Sequence, residues 1–168
     1  MCGFVGAVGL NLKKNFTSGL SLAMDAIAHR GPDDEGRKVI STPHLNFGVG
    51  HRRLSIIDLT PTGRQPMTCS NDRYTLVFNG EAYNYMELRV ELLKKGVEFS
   101  SQSDSEVLLY AWITWKEECL HRITGMFSFV VFDQVDEVVF CARDGFGIKP
   151  IYFLLDQENF YFASEINS

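Results

Sequence analysis

Apolar residues fall into two rhythms along the chain, and each rhythm names an element. A short buried-strand run bounded by glycine occupies residues 3–10. Leu20, Ala23, Met24, Ile27 and Ala28 then recur at i, i+3, i+4, i+7 and i+8, which predicts an amphipathic helix from Thr17 or Ser18. Gly31, as a left-handed stop, and Pro32 should end it, leaving residues 29–33 as a loop. Strands are predicted at 37–40, 45–50, 54–58 and 74–78, separated by Gly, Pro, Asn and Thr clusters. Asn84 with Glu87, and Ser103 with Glu106, have the form of capping boxes. The first opens a helix with Leu88, Leu92 and Leu93 inward, closed by Lys94, Lys95 and Gly96. The second carries Val107, Tyr110, Ala111, Thr114 and Trp115 on one face. Strands return at 126–132 and 138–143, joined by residues 133–136, and at 151–155 and 160–163, joined by residues 156–159. Strands grouped with strands and joined by hairpins, with a few covering helices, predict an antiparallel α+β layered domain rather than a βαβ sheet.

Composition narrows the function. With 168 residues, 45% of them hydrophobic, the chain fits one domain whose core needs no disulfide or metal staple. A net charge of −5 argues against a nucleic-acid partner, and no apolar run approaches the ~18 residues of a membrane span. The apolar start lacks a basic n-region, so it does not read as a secretory signal. Cys2, Cys69, Cys119 and Cys141 show no CxxC spacing and read as reduced, which places the protein in the cytoplasm. His29, His44, His51 and His121 lack metal-site spacing, so no metal is expected.

Cys2 is the residue with most chemistry to offer. A lone Cys is ordinarily a small buried hydrophobe. At position two, however, removal of Met1 would give it both a thiol and a free α-amine, a nucleophile and its base in one residue. With Met1 retained, that base is locked in a peptide bond. Asn79-Gly80 is either a type I′ turn or a pair of donors at a strand end that could hold an oxyanion. Arg53 and Asp104 could clamp the carboxylate and ammonium of a free amino acid, although a solvated Arg and an acid in a helix's first turn have ordinary explanations. Glu81 is either a loop acid or part of that pocket, and Arg30 either loop charge or a neighbour of Cys2.

Seven motifs in order, MCGFVG (1–6), HRGPD (29–33), RRLSIID (52–58), NGEAYN (79–84), SDSE (103–106), RDGFGIKP (143–150) and FASEI (162–166), resemble the glutaminase domain of glutamine-dependent asparagine synthetases, which are class II glutamine amidotransferases. The resemblance implies a four-layer αββα N-terminal-nucleophile hydrolase fold over residues 1–168. It implies that Cys2 attacks the side-chain amide of L-glutamine, that Asn79 and Gly80 hold the oxyanion, that Arg53, Asp104 and Glu81 bind the substrate's charged groups, and that Arg30 supports the nucleophile. Ala82 stands where relatives often carry a larger aliphatic residue. No nucleotide-binding motif is present, so no cofactor is expected in this chain. ATP and Mg belong to the synthetase domain of such enzymes, supplied in cis or as a separate subunit. Because the last motif lies at the end of the chain, an excised half of a longer enzyme is the favoured reading. A free-standing subunit, an N-terminal-Cys amidase for another amide, and a non-catalytic glutamine sensor remain as alternatives. A homodimer is allowed but not specified.

Overall fold

The computed structural model describes residues 1–10, 12, 16–156 and 158–168. Its elements are β1 (Gly3–Gly9), α1 (Phe16–Ala26), β2 (Asp34–Ser41), β3 (Asn46–Arg53), β4 (Met67–Thr68), β5 (Tyr74–Ala82), α2 (Tyr85–Lys94), α3 (Asp104–Trp115), β6 (Gly125–Asp133), β7 (Val138–Arg143), β8 (Tyr152–Leu155) and β9 (Asn159–Ala163). They form two antiparallel sheets, ordered β2-β3-β1-β9-β8 and β4-β5-β6-β7.

Strand alternation assigns the layers. Phe4, Phe47, Val49 and Phe162 from the first sheet meet Val77, Val130 and Phe132 from the second, with Phe47 and Phe132 stacked at 4.4 Å across the gap. The opposite face of the first sheet gives Val5 and Ala163 to Leu20 and Met24 of α1 and to Ile27 just beyond it. The far face of the second sheet gives Leu76, Phe78, Phe127, Phe129 and Val131 to α2 and α3. The order is therefore helix, sheet, sheet, helix, the expected αββα arrangement. Helix α1 leaves the β8 end of the first sheet bare, where Phe153 is 74% exposed.

Local departures have local causes. Residues 54–58 form no strand: Asp58 turns its carboxylate onto Thr60 and Thr62, and the segment becomes a loop over the cavity described below. Asn79-Gly80 is neither a turn nor a strand end, because β5 continues to Ala82 against β6. α1 stops at Ala26 and a 3₁₀ turn spans Ala28–Arg30. Gly31 is not left-handed (φ −149°); a Cβ there would run into the backbone of Arg52 and Arg53. Asn84 does not cap α2, since its amide bridges Arg122 O and Thr124 N instead. Leu93 is 51% exposed rather than inward, and Gly96, at φ +85°, closes that helix. Ser103 does cap α3, accepting from Glu106 N at 3.2 Å, but the Glu106 carboxylate reaches one step further back, to the N–H and hydroxyl groups of Ser100 and Ser101. α3 is also buried well beyond the predicted stripe, with Leu108, Leu109 and Trp112 inside. The predicted turn at 156–159 includes Gln157, which lies outside the described residues.

Candidate active site

The parity that builds the core between the sheets also builds the site at its end. Cys2 shares the inward side with Phe4, Arg53 with Phe47, Val49 and His51, and Asn79 with Val77. Where the aromatic core stops, these three side chains take its place. They line a cavity of about 190 Å³ together with Gly80, Glu81 and Asp104. Arg30 stands behind it: buried, it donates from Nε to Cys2 O at 2.9 Å and pairs with Glu165 at 2.8 Å. With its amide nitrogen turned toward Cys2, Asn79 donates to the Cys2 carbonyl at 3.0 Å and accepts from Arg30 at 3.3 Å. The second amide hydrogen is left for the cavity.

The Gly80 N–H is available because of strand geometry. β4 covers only Thr75 and Leu76, so beyond them the outer edge of β5 has no strand partner. Alternate N–H groups point out of that edge. Phe78 N donates to Gln65 Oε1 at 2.6 Å and Ala82 N to Asp104 Oδ2 at 3.2 Å, and Gly80 N lies between them, facing the cavity. The residue must be glycine, since a Cβ would sit 2.7 Å from Phe127 Cα and closer still to Met126 O.

The sulfur of Cys2 is cradled by one residue: Leu54 N donates to it at 3.4 Å and the thiol donates to Leu54 O at 3.6 Å. Burial pushes the thiol pKa up; the Leu54 N–H, the N-terminal charge and Arg53 oppose that without reversing it. The thiol is therefore held protonated and needs a base. No histidine offers one: His51 is fully buried and donates from Nε2 to Phe78 O at 3.1 Å, on the core side.

Charges of both signs face the cavity. Arg53 donates from Nη1 to Thr60 O at 3.1 Å and from Nη2 to Asp58 O, which orients the guanidinium and leaves three of its five N–H groups. Asp58 is held down to about 2 by hydrogen bonds, first from the Thr60 hydroxyl, and knots the loop in place. Burial pushes Asp104 up to about 6, and the Glu81 charge adds to the effect. A cation arriving here would restore the charge that burial suppresses. Among the described residues no group of His, Cys, Asp or Glu is placed to hold a metal.

Sequence reasoning missed Gln65, Asp58, Leu54 and Lys149 as cavity residues. Leu54, Asp58 and Lys149 lie within the motifs that carry the family resemblance, but the apolar character of the 54–58 segment pointed to a strand, and nothing marked Gln65.

The family model for the glutamine amidotransferase domain matches residues 1–168. The chain belongs to that family. This amidotransferase domain is 43% identical, over its whole length, to asparagine synthetase [glutamine-hydrolyzing] 1 of Bacillus subtilis (strain 168), of which it spans 26%. It is 36% identical, over 92% of its length, to the amidase chry2 of Gibberella zeae, spanning 23% of that protein. Among solved structures, the glutamine phosphoribosylpyrophosphate amidotransferase from B. subtilis superposes with a TM-score of 0.78 over 98% of this domain and 42% of that chain. The sequence identity is 19%, so the likeness is one of fold. The amidotransferase domain thus spans about a quarter of the length of these two curated relatives.

Proposed function

We propose that the domain hydrolyses L-glutamine to glutamate and ammonia through a thioester on Cys2, and that the ammonia feeds an ATP-dependent synthetase domain of the asparagine synthetase type, in cis or on a separate subunit. One observation carries this reading: Cys2, the open Gly80 N–H, Arg53 and Asp104 line a single cavity.

Removal of Met1 exposes the Cys2 α-amine. The amine takes the thiol proton, and the thiolate attacks the side-chain carboxamide of glutamine. The oxyanion is received by the Asn79 amide and the Gly80 N–H, where losing one donor of this kind typically costs about 3–4 kcal/mol of barrier. The C–N bond breaks, and the proton held by the α-amine passes to the departing nitrogen, which leaves as ammonia. Water then attacks the thioester with the amine again as base, and glutamate departs. Arg53 holds the substrate α-carboxylate, while Asp104, with Glu81 beside it, holds the α-ammonium. Simple amides leave those buried charges unpaired and should react poorly. Arg30 fixes the Cys2 carbonyl and, through Asn79, the donor on the other side of the sulfur.

Intact mass should show loss of Met1, and an electrophilic glutamine analogue should label Cys2 alone. Cys2→Ala should abolish hydrolysis and labelling while leaving the unfolding midpoint nearly unchanged. A label on any other residue, or none on protein shown to begin at Cys2, would exclude this reading.

A further inference from the structure

Lys149 is a buried lysine without a carboxylate. It lines the same cavity as Cys2, and its Nζ donates to the thioether of Met1 at 3.1 Å. Among the described residues it forms no ion pair. Buried lysines are ordinarily paired, and a thioether is a poor acceptor. The surrounding turn nevertheless holds the residue firmly. Asp144 accepts from Lys149 N at 3.0 Å and from Phe146 N and Ile148 N, while Arg143 Nε donates to Lys149 O at 3.0 Å. A segment this well tied presents the Lys149 ammonium toward the residue that precedes Cys2.

We propose that Lys149 supplies the fixed positive charge that keeps the Cys2 α-amine neutral, and therefore able to accept a proton, once Met1 is gone. The proposal rests on the N-terminal-cysteine reading above. Cleavage of Met1 removes the thioether that Lys149 contacts and creates an amine on Cys2, which lines the same cavity as the lysine. Two ammonium groups in one partly desolvated space repel each other, and the one with the lower intrinsic pKa gives up its proton. An α-amine titrates ordinarily at ~7.7–8.0 and a lysine at ~10.4, so the α-amine yields. Arg53 on β3 and Arg30 on the 3₁₀ turn, which touches Cys2 O, act in the same direction. Asp104 acts against this, as it does on the Cys2 thiol, and Glu165 offsets Arg30 through their ion pair, which leaves Lys149 as a cation in the cavity with no acid paired to it among the described residues; Asp58 is tied to Thr60, Thr62 and Gln102, and Glu81 lies exposed at the rim. Lys149 touches neither reacting atom, so it is a positioning residue that acts through the charge state of Cys2.

The test is the pH dependence of kcat/KM for glutamine hydrolysis, which reports the groups of the free enzyme. In protein shown by mass to begin at Cys2, Lys149→Met should move the acid limb up by about one pH unit, close to a tenfold loss near pH 6.5 that shrinks toward pH 9. Lys149→Arg should keep the wild-type midpoint. An acid limb unmoved in Lys149→Met, whether activity falls uniformly or only KM rises, overturns the proposal. Should that variant fail to fold, the titration of 15N-labelled cysteine in the wild-type protein decides: a Cys2 α-amine midpoint below the ordinary range supports the proposal, and one within or above it overturns it. Processed wild-type protein that hydrolyses no glutamine would overturn the nucleophile reading as well, before any Lys149 variant is made.

Discussion

At the scale of single residues, the site depends on groups held half-used. Arg53 spends two of its N–H groups on the carbonyls of Asp58 and Thr60 and keeps its fork turned into the cavity. A lysine there would retain the charge and lose both the bidentate geometry and the tether. Arg53→Lys should therefore raise KM for glutamine about tenfold or more with a smaller change in kcat, and leave hydrolysis of an uncharged amide unaffected. Steady-state kinetics on both substrates checks this; equal losses on both would remove Arg53 from substrate binding. Gly80 is limited by sterics as well as chemistry. In Gly80→Ala the methyl must push β5 away from the Met126 carbonyl, displacing the N–H by a few tenths of an ångström or more. Activity should fall by about a hundredfold, well beyond any loss of binding, because the donor is needed most in the transition state. A variant that loses stability but keeps kcat would contradict that role.

Among elements, the segment between β3 and β4 was the least legible in the sequence and is the most consequential. Its apolar residues Leu54, Ile56 and Ile57 read as a strand, yet they line the cavity mouth. What fixes the segment is a local turn, Asp58 onto Thr60 and Thr62, joined to hydrogen bonds with distant residues, Asp58 to Gln102 N and Gln65 to Phe78 N and Ser105 Oγ, and no local pattern encodes the distant pairings. Asn79-Gly80 misleads for the same reason: a dipeptide that favours a turn is overruled by β6, a partner strand much later in the chain. By contrast, the β6–β7 hairpin, the closing glycine of α2 and the Ser103 cap were readable because their partners lie a few residues away. The roles proposed for Cys2, Arg53 and Asp104 could be suspected from charge and position, but their convergence on one cavity is a property of sheet parity and of the αββα stacking. Gln65 offers a test of the loop's importance. Gln65→Leu keeps the volume and strands the buried Phe78 N–H and Ser105 hydroxyl, so urea unfolding should show a loss of about 2–4 kcal/mol. The freed loop should also weaken glutamine binding, detectable as a higher KM. An unchanged unfolding midpoint would mean that water replaces both bonds.

For the whole molecule, two buried groups of opposite kind act between pH 6.5 and 4, while Asp58 and Asp133, both held down to about 2, lose their contribution below that range. His51 sits between the sheets with Nδ1 unpartnered, and burial, aided by the Arg53 charge, lowers its pKa from 6.5 to about 4. As pH falls below 6.5 the unfolded chain takes up a proton that the folded protein refuses until about 4. Stability is therefore lost across that window, by about 3 kcal/mol. Asp104 behaves in the opposite sense. Its folded value of about 6 lies above the reference 3.8, so the folded protein takes up its proton first and gains about 3 kcal/mol between pH 6 and 4. The two nearly cancel in the wild type. Asp104→Asn should expose the histidine: urea midpoints should be higher than wild type at pH 7 and fall steeply from pH 6.5 to 4. His51→Gln, which keeps a donor for Phe78 O, should instead gain stability over the same range. Variants that both track the wild-type curve would show that neither group titrates as its burial demands. In the proposed function the cost carried by Asp104 at neutral pH also has a use. An anion kept in a desolvated site is stabilised by any ammonium that reaches it, so bound glutamine should raise the melting temperature more at pH 7 than at pH 5, where the carboxyl is already protonated. Scanning calorimetry with saturating glutamine on Cys2→Ala, which cannot consume the ligand, isolates this linkage, and a shift independent of pH would detach Asp104 from the substrate ammonium.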